Sequence, residues 1–204
     1  MQKMNNYKKL FGIAEFVLFI TSYIPLFILL IFKQVSENFE YLHWGGFTIE
    51  NLVLFLIKFG FSSFLIIISL FSLIGCYLLF FNFNKNINNG ENVTLIDVKN
   101  RNSESIGYIA TYIIPFISQS FDTWYEIFAF LFIMLIIYRI YVNSNLLLIN
   151  PILSFIYSIY EVEYEEQNGK KRNGLIIIKD KYAEEETIVT IYSIGHKLFF
   201  AKNR

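Results

Sequence analysis

FGFSSFLIIISLFSLIGCYLLFF, residues 59–81, runs for 23 positions without a charged side chain. About 20 apolar residues, rising about 1.5 Å each, cross a hydrocarbon core of about 30 Å. This stretch is therefore long enough to span a bilayer. Phe11 to Phe32 gives 22 residues with Glu15 as the one charge, and Trp124 to Val142 gives 19 with Glu126 and Arg139 near its ends. A shorter run of 16, Ile106 to Phe121, lies between the last two; it can cross a thinned bilayer, be extended by its flanks, or re-enter without crossing, and crossing is the reading taken. The expected fold is an all-α transmembrane bundle of four helices over residues 1–143, followed by residues 144–204 as an interfacial segment and a small C-terminal antiparallel β domain.

Composition agrees. Of 204 residues, 55% are hydrophobic, and phenylalanine alone occurs 23 times; a soluble domain would stand nearer 45–50% apolar. Lys+Arg and Asp+Glu both total 17, and this balance argues against direct nucleic-acid binding, which needs a basic face. The single cysteine, Cys76, lies inside the second apolar run, so neither an intrachain disulfide nor a thiolate metal site is expected. The first run follows Lys3, Lys8 and Lys9 as a signal peptide would. It is too long for a signal core and is followed by no small-x-small cleavage site, so it reads as a retained helix.

Lysine and arginine set the orientation. With four crossings, one side holds Lys3, Lys8, Lys9, Lys85, Lys99, Arg101 and all the basic residues of the tail, while the other holds Lys33 and Lys58. Both termini are therefore expected in the cytoplasm. Pro25 and Pro115 interrupt the first and third runs, as proline removes a backbone hydrogen bond. Residues 82–105, rich in asparagine, read as a polar loop. From about residue 159 the pattern becomes period 2. Tyr160 to Tyr164, Leu175 to Ile178, Thr187 to Ile194 and Leu198 to Ala201 read as strands, with Asn-Gly turns between the first two.

Ionisable groups inside membrane helices are functional candidates, and Glu15, Glu126 and Arg139 are the three here. Each also has a plain structural role. Glu15 can serve as an interfacial carboxylate, Glu126 can face the positive helix N-terminus, and Arg139 can snorkel to the surface. Thr21, Ser22, Thr111, Tyr112, Ser118 and Gln119 can hydrogen-bond between helices, as can Ser62, Ser63, Ser69 and Ser72 of the second run, beside Gly60 and Gly75. His43 and His196, the only histidines, fall on opposite sides of the expected membrane and cannot share a metal. No nucleophile–base pair, phosphate loop or paired carboxylate is legible, so no catalytic, cofactor-binding or metal residues are assigned.

Tyr108-Ile-Ala-Thr-Tyr-Ile-Ile-Pro-Phe116, the span to Tyr141, Asn143-Ser-Asn-Leu-Leu147 and Asn150-Pro151 together resemble the KwaA family, the membrane subunit of the two-component Kiwa anti-phage defence system. The resemblance implies a homo-oligomeric sensor of envelope disturbance in the lipid bilayer. Such a sensor would signal to a cytoplasmic, nucleic-acid-binding partner of the KwaB kind. It supplies no catalytic residues. By motif, Tyr112, Pro115, Asn150 and Pro151 are the coupling candidates, with Pro115 breaking the third helix and Asn150-Pro151 turning the chain from the membrane surface into the sheet. A non-enzymatic sensor and scaffold is thus the leading expectation, and a small oligomeric channel or pore-forming effector is the alternative.

Overall fold

The computed structural model describes residues 12–43, 45–101, 121, 123–143, 150–179, 182–195 and 197–203. Three long helices carry the apolar runs: α1 (Gly12–Glu37), α2 (Ile49–Asn86) and α3 (Trp124–Asn143). All three are long and apolar enough to cross a membrane. A fourth, α4 (Pro151–Ser154), is a single turn. The third apolar run falls outside the described residues except for Phe121, and with it Tyr112 and Pro115.

Helix ends follow local chemistry. The Thr48 hydroxyl accepts the Asn51 amide and opens α2. Thr123 and Glu126 form a capping box at α3: the Glu126 carboxylate accepts the Thr123 amide (3.0 Å), and the Thr123 hydroxyl accepts the Glu126 amide (3.3 Å). Pro25 lies within α1.

α1 is the central helix. Along its most apolar stretch 61% of residues are buried, against 22% for α2 and 17% for α3. It runs antiparallel to α2 and meets it at small or polar residues. Thr21 faces Ser72, Val17 packs against Gly75, where an added Cβ would sit 3.0 Å from a Val17 methyl, and Gln34 accepts from the amide and hydroxyl of Ser62. Such residues let helices approach closely. α3 packs against α1 through Phe19, Tyr138 and Tyr141. At the far end, Phe121 stacks on Phe61 at 4.8 Å and sets its edge on Phe130. α2 and α3 therefore run in one direction and α1 in the other.

Five strands form a closed barrel: β1 (Glu91–Asn100), β2 (Ser158–Glu166), β3 (Lys171–Ile178), β4 (Ile188–Gly195) and β5 (Leu198–Asn203), ordered β1-β2-β3-β5-β4. Two expectations are corrected here. The polar stretch 82–105 is not simply a loop, because residues 91–100 form β1 and pair with both β2 and β4. The tail sheet is not purely antiparallel either: β3 and β5 run parallel, Leu175 opposite Leu198 through Ile178 opposite Ala201. Parallel pairing here follows from closure. The short Gly195–Leu198 connection makes β4 and β5 antiparallel neighbours, and β5 must then close against β3. This five-stranded order is that of OB-type barrels, a statement of topology that carries no function.

Period-2 alternation sorts the barrel's two faces. Val93, Leu95, Val162, Ile176, Ile178, Val189 and Ala201 fill the interior. Ile159, Ile177, Leu198 and Phe200 point outward into a second apolar cluster with Leu18, Cys76, Phe80, Leu153 and Tyr157. The barrel is thus seated on the ends of α1 and α2, the support a sheet this small needs. α2 enters the barrel almost directly, through a 3-10 turn over Ile87–Asn89 and Gly90. A Cβ on Gly90 would collide with the Ile191 carbonyl, so the entry passes only where no side chain exists.

Candidate functional site

Two consecutive carbonyls of α1, those of Val17 and Leu18, gather the other elements around them. The Val17 carbonyl accepts from the Thr21 hydroxyl (2.7 Å) and the Ser72 hydroxyl of α2 (2.7 Å), and Thr21 and Ser72 lie 2.6 Å apart. The Leu18 carbonyl accepts from the Ser22 hydroxyl (2.9 Å) and from Asn150 Nδ2 (3.1 Å). Ser22 also lies 2.8 Å from the Tyr141 hydroxyl of α3. A serine has one proton to donate. Ser22 gives it to Leu18, so Tyr141 donates to Ser22. Through two adjacent peptide groups, α1 is tied to α2, α3 and α4.

Asn150 holds the joint together. It is fully buried and uses both ends of its amide. Its oxygen accepts from the amides of Ile152 (2.9 Å) and Leu153 (3.3 Å), as an N-cap does, while its nitrogen reaches α1. Pro151 follows at the first helical position, where the missing N–H costs nothing and the fixed φ suits the helix. Asn150-Pro151, expected to turn the chain towards the sheet, caps a one-turn helix bonded to α1, and β2 begins at Ser158.

Tyr157 completes the link to the barrel. Its ring stacks on Phe80 of α2 at 4.4 Å and meets Phe200 of β5 edge-on at 5.9 Å. Burial pushes its phenol above the ordinary range, against the lowering effect of a hydrogen bond with Asn84. The ring therefore stays neutral at physiological pH.

The remaining sequence candidates lie elsewhere. Glu15 is buried on α1, one turn before Leu18. Glu126 belongs to the capping box of α3. Arg139 is exposed on the last turns of α3. None of the three meets another at the joint. Sequence reasoning names Thr21, Ser22 and Ser72 as interhelical donors without their partners, and does not single out Leu18 or Tyr141. The i to i+4 return of Thr21 and Ser22 onto their own helix is a signal that could have marked this turn of α1.

The Ser22–Tyr141 bond is testable as a pair. Ser22→Ala and Tyr141→Phe are each expected to destabilise the chain by about 0.5–1.5 kcal/mol. The double variant should fall short of the sum, because both changes remove one bond. Denaturation in detergent reads this, and strict additivity would show that the bond contributes nothing.

The family described as anti-phage protein KwaA matches residues 14–200. Among curated relatives, the Kiwa protein KwaA of Escherichia coli O55:H7 is 26% identical over 129 residues, which cover 61% of this chain and 66% of that protein's length. No solved structure matches.

Proposed function

The chain belongs to the KwaA family of anti-phage proteins, and from this premise we propose that it is a non-enzymatic sensor and scaffold of the bacterial inner membrane. It crosses the bilayer four times, with both termini and the barrel in the cytoplasm, and assembles with copies of itself. It responds to envelope perturbation during phage attack and holds a cytoplasmic effector of the KwaB kind.

The observation that carries this reading is the paired attachment of the barrel. β1 continues from α2, and β2 follows α3 and α4, yet β1 and β2 pair with each other from Val93–Glu166 to Asn100–Tyr160. A displacement between α2 and α3 within the membrane plane bears on that ladder and on the joint at Leu18. The barrel therefore sits where a disturbance of helix packing becomes a change of shape in water.

Two further facts support the topology. Arg101 bonds Glu161 and the Ile159 carbonyl at the barrel, whereas Phe121 lies at the far end of the helices. The described chain leaves the barrel at Arg101 and resumes at Phe121 at the opposite end of the helices, which supports an even number of crossings. Lys85, Lys99, Arg101 and the Lys170–Arg172 run accompany the barrel, against Lys33 and Lys58 at the other end, the asymmetry expected of a cytoplasmic side. The channel alternative gains no support, since Thr21, Ser22, Ser62 and Ser72 bond within the chain.

The test uses the full chain in its native host. It should pellet with membranes, require detergent for release, lower phage plating efficiency only together with a soluble effector encoded beside it, and co-purify with that effector. Undiminished protection after removal of residues 158–204 would sink the scaffold reading.

A further inference from the structure

Between α4 and β2 the chain turns its side chains in opposite directions. Leu153 and Tyr157 are buried among Leu18, Phe80 and Phe200. Phe155 and Ile156, between them, are 84% and 54% exposed. The apolar residues of this short segment are thus split into an inner pair that seats the barrel and an outer pair left exposed. A phenylalanine so exposed next to a well-packed joint calls for an occupant.

Depth identifies it. Tyr157 stacks on Phe80 at 4.4 Å with the rings 22° from parallel, which fixes this turn at the level of Phe80. The exposed apolar ladder of α2, Leu70, Phe71, Ile74, Leu78 and Phe81, ends at that level. Asn82, Asn84 and Lys85 follow, all exposed. The exposed Arg139 lies at the same end of α3, two residues before the Tyr141 that bonds Ser22. Exposed basic side chains just past an apolar ladder mark the headgroup level. Phe155 and Ile156 therefore sit where hydrocarbon gives way to headgroups.

We propose that Phe155 and Ile156 form a lipid-contact wedge, seated at the acyl-chain edge of the leaflet on the barrel side. This deepens the sensor reading and rests on it. The wedge is five residues from Asn150, whose side chain bonds the Leu18 carbonyl. Thinning or crowding of that leaflet acts on the joint directly, without displacing a whole helix. Apolar aromatic and aliphatic side chains at the hydrocarbon boundary are the ordinary chemistry of interfacial segments.

The test is depth-resolved quenching of the full chain in phosphatidylcholine–phosphatidylglycerol vesicles. Cys76→Ala removes the one native thiol, and an environment-sensitive fluorophore is attached in turn at Phe155→Cys, Phe71→Cys and Asn168→Cys. Position 71 lies at mid-helix, and position 168 in the exposed β2–β3 turn. The label at 155 should emit to the blue of that at 168. Lipids brominated near the glycerol should quench it more than lipids brominated at the chain ends, while 71 shows the reverse preference. If 71 is quenched and 155 is not, the proposal is overturned and the membrane reading stands. Water-like emission at 155 would then mean a free surface, and blue-shifted emission would mean cover by a second copy of the chain. If 71 is unquenched as well, the membrane reading itself fails.

Discussion

Phe80→Ala is expected to loosen the barrel from the helices while leaving the barrel closed. Phe80 is 6% exposed and touches three aromatic rings, those of Tyr157, Phe83 and Phe200. Truncating a core phenylalanine costs about 3–5 kcal/mol, from lost transfer energy and the cavity left behind. For a chain of this size that corresponds to a fall in Tm on the order of 10 °C. The barrel interior, built on Val93, Leu95, Ile176 and Ile178, does not include Phe80. The expected signature is therefore early protease cleavage between α4 and β2, with strands β2 to β5 still resistant. Phe81→Ala is the matched control: Phe81 is 59% exposed, so its loss should move Tm little. Equal melting temperatures for the two variants would show that Phe80 does not seat the barrel.

That prediction is out of reach of the sequence, and the reason is physical. The apolar runs around 11–32, 59–81 and 124–142 announce helices because length and composition are local properties. α2 nevertheless extends from Ile49 to Asn86, since Thr48 caps it early and the polar residues after Phe81 continue the helix. β1 escapes notice for two reasons. It alternates only over Val93 and Leu95 before the register shifts between Leu95 and Asp97, so its period-2 signal is short. Its partners also lie more than 50 residues away, across α3. The parallel β3–β5 pair is hidden for a related reason: short connections suggest antiparallel neighbours, and only closure of the barrel brings those two strands together. Asn150-Pro151 is legible as a joint, because Asn before Pro favours a turn or a cap. The acceptor of its second bond, the Leu18 carbonyl, is 132 positions away, and no local pattern encodes that. Ser22 and Tyr141, 119 apart, pose the same difficulty.

Asn150 offers the most informative substitutions in the chain, because its two functions can be separated. Asn150→Ala removes both. The amides of Ile152 and Leu153 lose their cap, which costs about 0.5–2 kcal/mol, and the lost hydrogen bond from Asn150 to the Leu18 carbonyl adds about 0.5–1.5 kcal/mol. Stability should fall clearly, and protection against phage with it. Asn150→Ser keeps a good N-cap hydroxyl but has no amide nitrogen to reach α1. Most of the capping contribution should return, while the link to Leu18 stays broken. The sensor reading then makes a specific demand: Asn150→Ser should reach the membrane at normal levels, melt closer to the parent than Asn150→Ala, keep its effector bound, and still fail to protect infected cells. Membrane fractionation, melting in detergent, co-purification and plating efficiency test the four parts. Full protection by Asn150→Ser would reduce this joint to a structural cap, and transmission would then rest on the β1–β2 ladder alone. Loss of protection with the protein present and the partner bound would place the signal in the bond between Asn150 and α1.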